Sequence, residues 1–216
     1  MRRKIIIIKI GSSVLMTKRN KLDEFRISHI ADQILALKKK GFAVILVVSG
    51  AVACGLITYT GDRLHMLSKE DFGLLKQAAS GIGQVQLITI FDNIFKQKQM
   101  AIAQILLNKC DLKDDTKREG IKKILEFYFQ SGIIPVFNEN DVVDLNSFGG
   151  NDFLAAELTL LLSAQQLIIL STSGGSTYGV GGGKTKKKVN DLLTSKNIDI
   201  VITDGRIKNI ILKQTL

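Results

Sequence analysis

Short, uninterrupted apolar segments recur along this chain, and they constrain its fold more than any other feature of the sequence. They cover residues 4–10, 42–48, about 101–107, 133–137, 167–171 and 198–203. Segments of this length and composition are typical of strands buried on both faces of a parallel sheet. Between them, apolar residues recur at helical spacing over 25–40, about 70–98, about 117–131, about 152–163 and 184–195. This alternation predicts an α/β fold, a three-layer α/β/α sandwich with a mainly parallel central sheet.

The sequence leaves two details open, the continuity of the helix over about 70–98 and the structure after the last predicted strand. The longest helical segment is interrupted by Gly81 and Gly83. Near the end of the chain, Asp204-Gly205 would suit a hairpin turn. A closing helix is favoured instead, because its apolar residues have the spacing of a helix face, at Ile207, Ile210 and Ile211.

Length and composition indicate one globular domain rather than a membrane protein. The chain has 216 residues, 45% hydrophobic and 23% charged, and no apolar run approaches the ~20 residues that cross a bilayer. Its N-terminus lacks a signal-peptide pattern, which predicts a cytoplasmic protein. Two distant cysteines and two isolated histidines predict neither a disulfide nor a zinc site, and packing or surface roles are expected for Cys54, Cys110, His29 and His65.

The chain is basic, with a formal charge of +10 and a pI near 9.6. Such a charge suits either nucleic acids or anionic small molecules such as nucleotides. The aromatic residues do not interleave with the basic ones as in RNA-binding motifs. Lysine runs at 38–40 and 186–188 are typical of solvated helix faces, so charge alone does not select a function.

Small and polar residues cluster where four of the predicted strands end, in the segments "KIGSS", "SGA", "NEND" and "STSGG". In open α/β sheets, ligands bind outside the carboxyl ends of the strands. Four such clusters exceed what turns alone require, and they predict a ligand site at this edge of the sheet.

The first cluster suits a phosphate. Lys9 adds positive charge beside Gly11, whose turn can present N–H groups to an anion. Neither the Walker spacing nor a dinucleotide fingerprint follows this strand. In the second cluster, Ser49 lacks the nucleophile-elbow pattern, which leaves a helix N-cap or a hydrogen-bond donor to a substrate carboxylate.

The remaining clusters add carboxylates, amides and a second set of lysines. A turn is the simplest explanation of 138–141, and an N-cap is the simplest explanation of Asn151 or Asp152. Lysines from Lys184 to Lys188 stand at a helix N-terminus, where the helix dipole disfavours cations unless an anion binds there. Together these groups suit phosphoryl transfer without a covalent intermediate, with Lys9 facing the transferring group.

At this level of detail the chain resembles the amino acid kinase family. The resemblance lies in six segments that occur in family order and nearly span the chain, "KIGSSVL" (9–15), "VVSGAVACG" (47–55), "KQAASGIGQ" (76–84), "NENDVV" (138–143), "FGGNDFLAA" (148–156) and "GVGGGKTK" (179–186). "SGA", "NEND" and the Asn-Asp pair resemble the branch that phosphorylates glutamate, rather than the uridylate, aspartate and acetylglutamate kinases.

The resemblance implies ATP-dependent phosphorylation of the side-chain carboxylate of L-glutamate, the first step of proline synthesis. It implies that Lys9 and Lys186 contact the transferring phosphoryl group and that Asp152 orients both lysines. The implied glutamate-binding residues are Ser49, Asp141 and Asn151, with help from the stretch at 76–84. The implied ATP-binding residues are Lys9, Gly11, Ser12, Ser171, Thr172, Val180, Gly181, Gly182, Gly183, Lys184, Thr185 and Lys186. Mg²⁺ would arrive with ATP, with no ligand supplied by the chain.

The resemblance also implies a single amino acid kinase domain over residues 1–216, with a glutamate side to about residue 165 and a shortened ATP side over 166–216. No additional C-terminal domain, nucleic acid or membrane partner is expected. A homodimer or homotetramer and feedback inhibition by proline are implied.

Several departures from the family pattern fall on the ATP side. Ser171-Thr172 replaces Thr-Asp, the segment "SGGSTYG" is short, and Val180 and Gly183 replace Thr and Met. Gly150 stands where Asp is common. An active kinase is favoured, and the alternatives are a glutamate- or proline-binding regulatory homologue, a kinase of another small acid, and a basic nucleic-acid-binding domain.

Overall fold

A computed structural model describes residues 4–17, 19, 21–59, 69–172 and 183–215. Within these residues, six strands form one sheet in the order β3-β4-β2-β1-β5-β6, and every neighbouring pair is parallel. The strands are β1 (Ile5–Ile10), β2 (Ala43–Val48), β3 (Ile102–Leu107), β4 (Ile134–Glu139), β5 (Gln166–Ser171) and β6 (Asp199–Asp204). The parallel sheet expected from the apolar segments is confirmed.

Eight helices connect the strands in the described part of the chain, together with a 3₁₀ turn at Lys109–Leu112. They are α1 (Ser12–Leu15), α2 (Glu24–Lys39), α3 (Ala51–Tyr59), α4 (Lys69–Gln97), α5 (Asp115–Gln130), α6 (Asn151–Leu162), α7 (Gly183–Thr194) and α8 (Ile210–Gln214). The closing helix favoured by the isoleucine spacing is confirmed as α8. No described helix is both long and apolar enough to cross a membrane.

The helices cover both faces of the sheet and so make three layers. Side chains of a strand alternate between the two faces. Ile8 and Ile10 of β1 pack in one core with α2, α4 and α8. Ile7 packs in the other core, with residues of α5, α6 and α7. Lys9 has the same parity as Ile7, so it projects toward the second helical layer.

Helices α3 and α4 pack with their main chains in contact. A Cβ atom at Gly55 would lie 1.8 Å from the carbonyl oxygen of Ala79, and one at Gly83 would lie 1.8 Å from that of Ala51. The expected interruption of α4 at Gly81 and Gly83 is wrong, because Gly83 serves this close approach while the helix continues. Helix α3 itself was not expected from the sequence.

Candidate active site

A cavity of about 330 Å³ lies at the carboxyl ends of β1, β2, β4 and β5. Its position agrees with the rule for open α/β sheets. It brings together residues from all four polar clusters singled out in the sequence. The predicted site residues that line it are Lys9, Gly11, Ser12, Ser49, Asp141, Asn151, Ser171 and Lys186.

Lys9 places an ammonium group inside the otherwise apolar strand β1, and this charge has a partner. The residue is only 5% exposed, and its Nζ lies 2.6 Å from Oδ1 of Asp152 at the start of α6. A buried charge needs such a partner, because an unpaired one is costly. Strand parity points the amine at α6, and the ion pair holds it at the cavity wall.

Lys186 reaches the same carboxylate from the other side. Its Nζ donates to Oδ2 of Asp152 at 3.2 Å. In α7 the buried Val189 and Leu193 follow Lys186 at helical spacing and anchor that face in the core. Lys187, one position further on, is exposed. The helix therefore presents one lysine of the run to the cavity, and both predicted catalytic lysines meet there.

The three groups perturb one another's protonation. Burial lowers the pKa of the Lys9 ammonium, although the neighbouring Asp152 carboxylate opposes this. Burial alone would raise the pKa of Asp152, but the amines of Lys9 and Lys186 outweigh it and hold that pKa below its ordinary value. Asp152 is therefore ionised at neutral pH and acts as a fixed negative charge between two cations.

A buried chain of amides adjoins this ion-pair cluster. Asn138 of β4 donates through Nδ2 to Oε1 of Gln84 in α4, at 2.7 Å. Its Oδ1 accepts from Nδ2 of Asn151 at 2.8 Å and from the N–H of Glu139 at 2.9 Å. The amide of Asn151 is thereby fixed in the cavity wall, with its Oδ1 buried and without a protein partner.

The turn between β4 and α6 is ordered by two carboxyl groups. Oδ1 of Asp141 accepts from the N–H of Asn146 at 2.8 Å, and burial raises the pKa of Asp141. Glu139 accepts from the N–H of Phe148 and Gly150. The expected N-cap at Asn151 or Asp152 is wrong: the helix is preceded by Gly150, and no side chain at that position caps it.

Other predicted residues lie outside the cavity lining. Thr172 follows β5 and is half-buried, while Gly183, Lys184 and Thr185 form the first turn of α7. Val180, Gly181 and Gly182 lie outside the described residues. Cys54 is buried in α3, and Cys110 is exposed.

Sequence reasoning did not name Asn138, Glu139 or Gln84 individually as site residues. The first two were assigned to a turn, whereas they are the last residues of β4 and are buried. The sequence did contain a signal for them, because an amide and a carboxylate directly follow the apolar segment of β4. Gln84 was included only as the last residue of the stretch at 76–84, which the resemblance assigns to the glutamate pocket.

The fold and cavity define a three-layer α/β protein in which two lysines converge on one aspartate at the strand ends. The sequence profile described as "Amino acid kinase family" matches residues 4–176. Because this match covers most of the chain, the protein belongs to the amino acid kinase family.

Individual relatives agree with this assignment. The chain is 34% identical to "Glutamate 5-kinase" of Syntrophus aciditrophicus, over 97% of this chain and 62% of that protein. It is 32% identical to "Glutamate 5-kinase" of Aquifex aeolicus, over 92% of this chain and 63% of the relative. The chain thus spans about three fifths of the length of these relatives.

Solved structures support the fold. UMP kinase from Ureaplasma parvum matches with a TM-score of 0.60 and 16% identity, over 98% of this chain and 94% of that one. An isopentenyl phosphate kinase matches with a TM-score of 0.61 and 15% identity, over 98% and 97% of the two chains. At these identities the likeness concerns the architecture alone.

Proposed function

We propose that this protein transfers the γ-phosphoryl group of ATP to the side-chain carboxylate of L-glutamate, giving glutamyl 5-phosphate and ADP, the first step of proline synthesis. The observation that carries the proposal is the convergence of Lys9 and Lys186 on Asp152 in one cavity. The relatives named glutamate 5-kinase support the choice of acceptor.

The acceptor needs no general base. The side-chain carboxylate of glutamate is ionised at neutral pH and can attack the γ-phosphorus directly, while the bond to the ADP oxygen breaks. Negative charge then spreads over the three equatorial oxygens of the moving group. Lys9 and Lys186 stabilise this charge, and Asp152 keeps both amines in place.

The β4–α6 side of the cavity suits an amino acid. Asp141 is an anionic partner for the ammonium of glutamate, and the hydroxyl of Ser49 can donate to its carboxylate. The amide of Asn151 adds one donor group and one acceptor group, the acceptor being free of protein partners.

Groups for ATP lie on the opposite side. The turn at Gly11 and Ser12, together with Ser171, lies beside the cavity, and the first turn of α7 follows. Mg²⁺ enters as part of the ATP complex and shields its phosphates. The family's proline sensitivity and its oligomeric assembly are proposed for this chain on resemblance alone.

The test is ADP release by the purified chain with MgATP and L-glutamate. Lys9→Ala should lower kcat about 10²–10³-fold, because it removes a group that stabilises transition-state charge. Lys40→Ala, at the exposed lysine directly after α2, is the matched control and should leave kcat unchanged.

A panel of acceptors identifies the substrate, since aspartate and acetylglutamate should give far less turnover than glutamate. Glutamate binding without any turnover above the Lys9→Ala variant would instead support a regulatory homologue. Turnover with another acid alone would reassign the substrate.

A further inference from the structure

Glu139 is a buried carboxyl group in the cavity wall that the chemistry above does not use. It ends β4 and is 5% exposed. Its Oε1 accepts from the N–H of Phe148 at 2.9 Å and from the N–H of Gly150 at 3.3 Å. Both donors belong to the turn that enters α6. One oxygen atom of Glu139 therefore binds the main chain of this turn at two residues.

The turn needs an acceptor from outside the helix. Gly149 and Gly150 have φ of 86° and 115°, a region that favours glycine, and neither has a side chain that could cap the helix. The first N–H groups of a helix lack intrahelical partners, and its N-terminus favours negative charge. Glu139 supplies an acceptor there, and the next two residues are Asn151 and Asp152.

We propose that Glu139 is a positioning residue of the phosphoryl-transfer site, whose carboxyl group fixes the turn at Phe148–Gly150 so that Asn151 lines the cavity and Asp152 pairs with both lysines. The inference rests on the proposed function for its kinetic consequence. The structural part of the inference is that one carboxyl group binds two main-chain N–H groups, and this part can be tested without an activity assay.

The charge of Glu139 is set by opposing neighbours. The pKa of Glu139 is raised to about 7, mainly by burial and also by the negative charge of Asp141 after β4. The two N–H donors and Lys9 of β1 lower this pKa but do not cancel the effect of burial. Lys9 is itself paired with Asp152 of α6. The group therefore changes charge near neutral pH beside a site for anionic substrates. Above this pKa the added negative charge should weaken their binding.

The first experiment measures hydrogen exchange of the Phe148 and Gly150 amides by NMR at pH 7. Glu139→Ala removes the acceptor and should speed exchange at both amides at least about tenfold. Glu139→Gln keeps an acceptor oxygen and should stay within about threefold of the wild-type rate. Glu157→Ala, an exposed glutamate further along α6, is the matched control and should change neither amide.

The second experiment measures steady-state kinetics with glutamate and MgATP. Glu139→Ala should lower kcat/KM at least about tenfold, and Glu139→Gln should stay within about threefold of wild type at pH 6. As pH rises through about 7, kcat/KM should fall in the wild type but not in Glu139→Gln.

Unchanged amide exchange in Glu139→Ala overturns the inference, and so does exchange in Glu139→Gln as fast as in Glu139→Ala. If the alanine variant does not fold, the glutamine variant decides through its pH profile, and a fall through pH 7 equal to that of the wild type overturns the inference. A wild-type chain without glutamate turnover defeats the proposed function, while the exchange measurements still decide the role of Glu139.

Discussion

The two sides of the cavity are built in different ways. The β4–α6 wall, residues 138–152, contains the buried side chains of Asn138, Glu139 and Asp152. They are held by hydrogen bonds within the wall, by Gln84 of α4 and by Lys9 of β1. The β5–α7 wall, residues 171–172 and 183–188, contributes half-buried and exposed side chains and reaches the first wall through Lys186. The side chains of the β4–α6 wall are therefore fixed by burial in the core. The β5–α7 wall contributes mainly the ammonium group of Lys186, at the end of a long side chain.

This difference separates two kinds of mutational effect. Substitutions in the β4–α6 wall should lower both stability and turnover, because the same contacts support the core and the site. Substitutions in the β5–α7 wall should lower turnover with little change in stability.

The largest effect is expected for Asp152→Asn. It leaves the buried Lys9 without its counter-charge, and breaking a buried pair should lower the free energy of unfolding by about 3–5 kcal/mol. Turnover should fall about 10²–10³-fold as both lysines lose their shared anchor. Urea unfolding and ADP release measure the two quantities.

Lys186→Ala is the variant in the β5–α7 wall to be compared with Asp152→Asn in the β4–α6 wall. It should lower turnover to a similar degree while the unfolding midpoint stays close to wild type. A stability loss equal to that of Asp152→Asn would mean that the two walls do not differ as described.

A smaller effect is expected for Asn138→Ala. The change leaves the buried amides of Gln84 and Asn151 without their partner, which should cost about 2–3 kcal/mol of stability. Ser171→Ala, in the opposite wall, should change stability by less than about 0.5 kcal/mol. Equal unfolding midpoints for the two variants would contradict the expectation.

The smallest effect is expected for Lys187→Ala. This exposed lysine lies beside Lys186 in sequence but not on the inward face of α7, so KM for ATP should change less than about threefold. A tenfold rise in KM would show that the basic run acts as a patch rather than through one residue.

Much of the architecture was predictable because the four central strands β1, β2, β4 and β5 are buried on both faces of the sheet and read as continuous apolar segments. All six predicted strands are present, and the rule that places ligands at strand ends located the cavity. Lys9 was predicted from its positive charge beside the turn at Gly11, where the strand ends. Helix α3 escaped prediction because apolar residues occupy most of its sequence, "AVACGLITY", and leave no polar face to reveal a helical period.

Asn138 and Glu139 were assigned to a turn for one physical reason. Polar clusters after a strand have the composition of turns, and sequence alone does not reveal that β4 continues through Asn138 to Glu139. The expected N-cap failed for a related reason. Glu139 caps the turn from 11 residues earlier in the chain, a distance at which local capping patterns carry no information.

The contact between the main chains of α3 and α4 limits how this protein can be redesigned. Ala51 lies in the cavity lining and also touches the position where Gly83 lacks a side chain. A larger residue at Gly83 would have to displace Ala51, and with it one edge of the pocket. A substitution at Gly83, which does not line the cavity, would therefore reshape the pocket through Ala51.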